Sequence, residues 1–206
     1  MIRSDRFLTY ILLVVLAATI VPPRSVQANG QRVLVVMSYD EENPWEQDIR
    51  EGIRSRLPAD VELRFFYMDT KNNLAGGTHM AEQALTVFRQ FKPDGIIAAD
   101  DNAQSLFVVP HLRDTVPTPV IFCGVNAEPE AYGYPATNVT GVLERQHFRE
   151  AIAFAQMLQP GIRSVGLLLR PSPTTLEIEE RIRKEQKSYP AQLLPVRRVH
   201  TLAEAQ

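Results

Sequence analysis

The chain has 206 residues, of which 24 are acidic and 22 basic, so its formal net charge is −2 at pH 7. This balance, with no basic patch or stripe, excludes nucleic acid as an expected partner. A single cysteine excludes an internal disulfide framework.

The N-terminal segment has the pattern of an export signal. Arg3 and Arg6 give it a positive start, residues 8–21 are apolar, and residues 26–28 have the small-residue spacing of a cleavage site. We therefore predict a signal peptide over 1–28 that is removed after its last residue, which places the rest of the chain in the periplasm or outside the cell. The alternative is an uncleaved anchor, because the apolar stretch approaches the lower length limit for crossing a bilayer.

Three short apolar runs, at 33–37, 95–99 and 120–122, lack polar alternation and predict strands buried on both faces of a parallel α/β sheet. Small or polar residues follow each run. They are Ser38 and Tyr39 after the first, Asp100, Asp101 and Asn102 after the second, and Gly124 and Asn126 after the third. In a doubly wound parallel sheet, ligands bind beyond the carboxyl ends of the strands. The sequence thus predicts one polar rim, made by these three strand ends.

A helix follows the first strand. Asn43 is a suitable N-cap, Pro44 suits the first turn, and Glu46 lies three residues after the cap, as in a capping box. The apolar residues that follow recur every four positions and predict one face packed on the sheet. They are Trp45, Ile49, Ile53 and Leu57.

Two residues near the rim have both a structural and a functional interpretation. Trp45 begins the apolar helix face, so it belongs either to the core or to a surface that stacks on a ligand. Cys123 ends a buried strand, which favours a small core residue over a reactive thiol, because burial makes a cysteine inert.

The remaining elements of the first lobe follow the same alternation. The run 61–67 alternates in its first half and predicts an edge strand, and residues 81–91 predict a helix that stops before Pro93. Asp101 or Asn102 is expected to cap the next helix. In the simplest structural interpretation one of the two carboxylates at 100 and 101 caps this helix and the other is solvated, whereas the functional interpretation directs one of them into the crevice.

Residues 138–206 predict a second lobe, after a first lobe at 29–137. A strand at 138–142 crosses into it, and two α/β units and the start of a third follow. Two units supply too few strands to bury a sheet, so we expect exposed core residues. Either the chain is a fragment of a longer one, or another chain completes the lobe.

Several short motifs follow one another along the chain in a characteristic order and spacing. They are Ser38-Tyr39, Asn43-Pro44-Trp45, Asp48-Ile49-Arg50-Glu51-Gly52-Ile53, Tyr67-Met68-Asp69-Thr70-Lys71, Ala98 to Ala103, Val120 to Asn126 and Asn138 to Val142. Together they resemble the substrate-binding family of ABC transporters that includes the tryptophan/tyrosine-type binding proteins. The forms of the motifs at 67–70 and 100–102 look most like those of members fused, as sensor regions, to bacterial histidine kinases and diguanylate cyclases.

The resemblance implies a periplasmic-binding-protein-like α/β fold with two lobes, of which the second is incomplete here, and a small-molecule ligand between them. It implies an ABC transporter permease as partner, or a fused signalling module in the sensor alternative, and no cofactor. By position, the ligand-facing loops are 38–45, 100–102 and 124–126. From the second lobe they are Glu144 and the loop that contains Ser172 and Thr174.

The rim residues form a binding inventory rather than a catalytic one. Asp100 or Asp101 could hold an ammonium group, and Asn102 and Asn126 could bond a carboxylate or an amide. The rings of Tyr39 and Trp45 could sandwich a ring or a cationic head. This set fits an amino acid or another amine-bearing metabolite.

An enzymatic alternative uses the same loops. Acidic residues at 40–42 and 100–101 could hold Mg²⁺ for phosphoryl transfer. An exported chain is away from cytoplasmic phosphodonors, however, and the two loops that carry these acidic residues have no lysine to clamp a phosphoryl group. The four histidines lack metal-ligand spacing, and the sequence has neither a nucleophile elbow nor a glycine-rich phosphate loop.

We therefore predict a non-enzymatic solute-binding protein that captures a small polar, amino-acid-like metabolite for an ABC transporter. The alternatives are the ligand-sensing region of a membrane receptor and a truncated remnant that binds nothing. Removal of the N-terminal segment favours the soluble carrier, and its retention favours the receptor.

Overall fold

A computed structural model describes residues 30–205 of the chain. The predicted signal peptide lies outside these residues. Within them, no helix combines the length and the apolar character needed to cross a membrane.

Five parallel strands form the central sheet, in the order β2-β1-β3-β4-β5. The pairs β1–β2, β1–β3, β3–β4 and β4–β5 are all parallel. The strands are β1 (Arg32–Met37), β2 (Glu62–Tyr67), β3 (Gly95–Ala99), β4 (Val120–Val125) and β5 (Val139–Leu143). The predicted parallel α/β sheet is confirmed, and β2 is an edge strand as its sequence pattern indicated.

Helices cover both faces of this sheet. The helices of this region are α1 (Pro44–Arg56), α2 (Gly77–Phe91), α3 (Asp100–Ala103) and α4 (Val109–His111), with a π-helical stretch (Gln104–Val108) between α3 and α4. Leu34 and Val36 point to the face that α2 and the π-helical stretch cover, whereas Val35 and Met37 point to the face that α1 covers. The sheet is therefore doubly wound, with a core on each side.

The apolar face of α1 is confirmed for three of its four predicted residues, since Leu57 follows the last helical residue as the C-cap. Trp45, Ile49 and Ile53 pack against the core that contains Val35 and Met37. Because each residue recurs after about one helical turn, a single stripe meets the sheet while the opposite face of the helix stays in solvent.

The C-terminal segment (residues 148–205) forms smaller pieces of structure. Its helices are α5 (Phe148–Leu158), α6 (Pro173–Glu185) and α7 (Leu202–Ala205), and its strands are β6 (Ser164–Val165), β7 (Leu168–Leu169), β8 (Gln192–Leu193) and β9 (Arg197–Arg198). β6 pairs with β8 and β7 with β9, both in parallel. The apolar run at 165–169, whose sequence alone predicts one buried strand, is thus divided between β6 and β7.

Large apolar side chains of α5 are exposed, as expected for a lobe with few strands. Phe154 is 60% exposed, Met157 79% and Leu158 73%. The strand at 139–143, expected to lead into the second lobe, is hydrogen-bonded to β4 as the other edge of the five-stranded sheet. The boundary at 137/138 stays a prediction.

Candidate functional site

The rim lies at the point where the order of the strands reverses. β1 has the next strand of the sequence, β2, on one side and β3 on the other, so the strand order reverses at β1. Loops that leave β1 and β3 therefore turn to opposite faces of the sheet and open a crevice between them, which is where ligands bind in this class of fold. Tyr39 and Asp100 stand at these two strand ends.

Ser38 joins the ends of β1 and β3 and has no free polar group. Its hydroxyl donates to the Ala99 carbonyl at 2.7 Å and accepts from the Ala103 N–H at 2.8 Å. The side chain is fully buried. Ser38 thus fixes the start of α3 against β1, which is a positioning role.

Asp101 binds the loop after β4. One carboxylate oxygen accepts from the Asn126 N–H at 2.9 Å, and the other accepts from the Ala127 N–H at 3.0 Å and from the Tyr132 hydroxyl at 2.8 Å. Asp101 is only 3% exposed. The expectation that one of the paired carboxylates is solvated is therefore wrong, because three donors from the neighbouring loop surround this one.

Asn102 continues this internal network. Its amide donates to the Thr70 hydroxyl at 2.9 Å, and Thr70 donates to the Ser38 carbonyl at 2.7 Å. Asn102 is buried, so its amide links the loops after β1, β2 and β3. One of its two amide N–H groups is thus used within the protein.

Tyr39 and Asp100 meet across the crevice. The Tyr39 hydroxyl donates to one Asp100 oxygen at 2.6 Å and lies 3.4 Å from the Thr174 hydroxyl on α6. The other Asp100 oxygen accepts from the Asn102 N–H at 3.2 Å. Asp100 is 2% exposed and has φ +72°, a left-handed backbone that non-glycine residues rarely adopt. Such backbone strain in a buried acid is typical of functional positions.

Glu46 lies beside this pair. One of its carboxylate oxygens accepts from the Tyr39 N–H at 2.6 Å, and the side chain is fully buried. The predicted capping box is therefore wrong in its second half. Asn43 caps the helix by accepting from the Trp45 N–H, as expected, but Glu46 reaches to Tyr39 rather than to the cap.

Burial and neighbouring negative charges raise the pKa of both acids. The pKa of Glu46 rises to about 7, chiefly through burial, with a contribution from the negative charge of Asp100. The pKa of Asp100 also rises to about 7, chiefly through burial, with a contribution from Asp101. Burial and the Asp100 charge together raise the pKa of the Tyr39 phenol, so this hydroxyl remains a donor.

Trp45 packs beside Tyr39, on the side of the core that α1 covers. Gly124, at φ +67°, allows its approach, since a Cβ there would lie 2.5 Å from the indole. The Tyr39 and Trp45 rings touch at 5.9 Å between centroids and 57° between planes. They are therefore in contact with each other rather than set apart as two walls of a slot. Cys123 packs into the same core, where burial raises its pKa to about 11 and keeps the thiol protonated.

A second cluster lies at the end of β4. The Asn126 amide donates to Glu144 at 3.5 Å, and its carbonyl oxygen accepts from Gln146 at 2.6 Å. Arg181, on α6, donates to the Asn126 backbone carbonyl at 3.3 Å and to the Gln146 side chain. The buried Arg181 guanidinium thus ties α6 to this strand end.

Ser172 has a local role at the start of α6. It caps the helix in a capping box with Thr175. From this start, α6 runs along the rim, with Thr174 at Tyr39 and Arg181 at Asn126.

A cavity of about 410 Å³ opens between α6 and the rim. Its volume suits a small metabolite. Its lining residues are Asp101, Asn102, Ser105, Ala127, Ala131, Tyr132, Leu176 and Glu177. Among residues 30–205, no group of three or more His, Cys, Asp or Glu side chains is placed to hold a metal ion.

The structure places five of the predicted site residues at the two ends of α6 and gives the other six contacts within the protein. Tyr39, Asp100 and Thr174 meet at one end of α6, and Asn126 and Glu144 meet at the other. Ser38, Asp101, Asn102 and Ser172 make internal hydrogen bonds, and Trp45 and Gly124 pack together.

The sequence interpretation missed three side chains at the site. They are Glu46, Tyr132 and Arg181. Glu46 matched a local capping pattern, and Arg181 lies on a helix whose many charges predict solvent exposure, so neither gave a sequence signal of burial.

The sequence matches no protein-family model, and no curated protein matches it. Solved structures do match its fold. The L-Trp complex of an ABC domain from Streptococcus pneumoniae has a TM-score of 0.63 and 15% identity, over 85% of this chain and 59% of that one. A ligand-free, open substrate-binding protein with adhesive properties from Clostridium difficile has a TM-score of 0.57 and 14% identity. The match covers 85% of this chain and 59% of that one.

A third match extends the comparison to another ligand. The solute-binding protein of an ABC transporter from Rhodopseudomonas palustris, in complex with 3,4-dihydroxybenzoic acid, has a TM-score of 0.52 and 11% identity, over 82% of this chain and 47% of that one. The chain thus spans less than two thirds of the length of these neighbours. At these identities the likeness is one of fold, and this chain has the α/β fold of the periplasmic substrate-binding proteins of ABC transporters, the family that its motifs resemble.

Proposed function

We propose that this chain is an extracytoplasmic solute-binding protein that holds a small polar, amino-acid-like metabolite between a first lobe (29–137) and a second lobe (138–206). The bound solute would be delivered to an ABC transporter permease. A sensing receptor would use the same binding step with a different partner, so binding itself is the step to test first.

The observation that carries this proposal is the position of α6 along the rim. Thr174 contacts Tyr39 at one end and Arg181 binds the Asn126 carbonyl at the other, and the 410 Å³ cavity lies between them. A ligand in this space contacts both the strand ends and α6. Because both sets of contacts exist only when α6 lies on the rim, binding favours the closed arrangement.

The chemistry of the rim supports binding rather than catalysis. Carboxylates, amides, hydroxyls and aromatic rings converge there, and a few such groups in a concave site are what fixes a small polar ligand. Two of the matched neighbours are named as substrate- or solute-binding proteins, and two hold small ligands with an aromatic ring.

The test is thermal unfolding of the purified chain with a panel of amino acids, nucleosides, small amines and carboxylates. A solute that binds only the folded state at a hundredfold excess over its Kd adds about 2.7 kcal/mol to the free energy of unfolding and raises the midpoint. We expect a shift with one chemical class. No shift with any solute would contradict the proposal and favour a remnant that binds nothing.

Arg181→Gln tests whether α6 takes part. This variant removes the guanidinium that binds the Asn126 carbonyl, so we expect a smaller ligand-induced shift. Arg149→Gln is the matched control, because Arg149 is an exposed arginine on α5. Equal shifts in both variants would place the ligand away from α6.

A further inference from the structure

Glu46 has a carboxylate oxygen that the fold leaves without a partner. Oε1 accepts from the Tyr39 N–H at 2.6 Å, whereas Oε2 is buried and has no hydrogen-bond partner among the described residues. The whole side chain has 0% exposure. A buried polar atom of this kind normally has a partner, so its lack of one points to a group supplied from outside the chain.

Tyr39 ties this carboxyl to a second one. Its backbone N–H holds Glu46, and its hydroxyl holds Asp100 at 2.6 Å. The two acids are therefore attached to the two ends of one residue, and they repel each other. Both lie at the switch point, where the fold places its crevice.

The groups that face this acid pair from the surrounding elements are mostly negative or neutral. They are Tyr39 and Asp40 after β1, Lys71 after β2, Asp101 on α3 and Cys123 on β4. Lys71 is the cation among them, and its ammonium lies over the Tyr39 ring at 5.0 Å from the centroid. Within residues 30–205, neither Glu46 nor Asp100 has a cationic side chain within 4.0 Å.

We propose that Glu46 and Asp100 together receive the positively charged amine of an organic solute in the crevice, an inference that rests on the proposed function. In the unliganded chain the Tyr39 hydroxyl donates to the Asp100 oxygen that the amine N–H would bind. Exchanging this hydroxyl for an N⁺–H donor adds the attraction between opposite charges to the hydrogen bond.

Binding of the amine should release protons near neutral pH. Both pKa values rise to about 7 in the unliganded chain, and a cation beside the carboxyls lowers them. Each carboxyl that was protonated therefore gives its proton to solvent and pairs with the ammonium. For one such group, the ionised fraction and hence the affinity rise about tenfold between pH 6 and pH 8.

The experiment is isothermal titration calorimetry of the purified chain with matched solutes that differ in charge. The pairs are phenethylamine with 2-phenylethanol, butylamine with 1-butanol, and L-phenylalanine with 3-phenylpropionate. Ammonium chloride tests a simple inorganic ion, and titration in two buffers of different ionisation enthalpy counts the protons released. Glu46→Gln and Asp100→Asn keep the shape and remove one charge each, and Glu51→Gln is the control on the exposed side of α1.

We expect an amine-bearing solute to bind, with release of at least part of one proton at pH 7 and about tenfold higher affinity at pH 8 than at pH 6. Glu46→Gln and Asp100→Asn should weaken it at least tenfold, and Glu51→Gln should not. Equal binding of an uncharged or anionic partner overturns the inference but leaves the proposed function in place. An equal effect of ammonium chloride also overturns it, and binding of no solute overturns both.

Discussion

The substitution Glu46→Gln separates the charge of this side chain from its shape. Glutamine keeps an oxygen that accepts the Tyr39 N–H but cannot ionise. In the folded chain the pKa of Glu46 rises from 4.5 to about 7, chiefly through burial. The folded state therefore binds more protons than the unfolded state between these values, and the free energy of unfolding falls as the pH rises through this window. The stabilising contribution is complete below pH 4.5 and is lost above pH 7.

The size of this loss follows from the two pKa values. A difference from 4.5 to about 7 corresponds to about 3 kcal/mol, at about 1.4 kcal/mol for each pH unit. The Gln variant lacks this loss. We expect it to unfold with nearly the same free energy as the wild-type chain at pH 4, and to be up to about 3 kcal/mol more stable at pH 8.

The assay is urea unfolding followed by circular dichroism at pH 4, 6 and 8, with Glu51→Gln as control. Glu51 lies on the exposed side of the same helix, so its variant should track the wild-type chain at every pH. A constant difference between Glu46→Gln and wild type across this range would refute the reasoning, because a purely steric effect does not depend on pH.

Three further predictions concern the rim as a structure, and urea unfolding measures each. Gly124→Ala should destabilise the chain by at least about 2 kcal/mol, because the left-handed backbone and the Trp45 indole both oppose a Cβ. Gly52→Ala is the control: it has open space in the middle of α1 and should stabilise the chain by up to about 1 kcal/mol. Asp101→Asn should lower the free energy of unfolding by at least about 2 kcal/mol, since an amide cannot accept all three donors. Ser38→Ala should lower it by about 1 to 3 kcal/mol, because a buried N–H and a buried carbonyl lose their partner. Changes under about 0.5 kcal/mol in Gly124→Ala, Asp101→Asn and Ser38→Ala would contradict these assignments.

The sheet could be predicted from the sequence because its strands carry a strong local signal. Uninterrupted apolar runs at 33–37 and 95–99 are long enough for a strand, and they are followed at once by polar residues. Since the strands are parallel, their polar ends gather at one edge without further information. This is why Tyr39 and Asp100, 61 residues apart, could be placed at one rim.

The roles of single side chains at the rim could not be predicted in the same way. Asp101 and Asn102 have the residue types of ligand-binding groups, but the loops after β4 and β2 supply partners that only the tertiary structure brings near. Glu46 has the spacing of a capping box, and the Tyr39 N–H competes successfully for it. Local pattern thus identifies which residues are polar and near the rim, while the neighbouring loops decide which of them stay free.

The C-terminal segment shows the same limit. The sequence of 165–169 predicts one buried strand, but the strand divides into β6 and β7, each paired over two residues. A two-stranded pairing is only marginally stable without further strands or a covering helix, and here Leu168 is 54% exposed. The apolar content of residues 165–169 alone therefore predicted a longer strand than the structure contains.

Intrinsic fluorescence tests the central claim, that a small solute binds in the crevice at the rim, most directly. Trp45 is the single tryptophan of the chain and lies against Tyr39 and Gly124 at this site. Titration of a solute that raises the unfolding midpoint should change the Trp45 emission, with saturation at the same Kd that calorimetry gives. A solute that stabilises the chain without changing the emission would bind elsewhere and contradict the account.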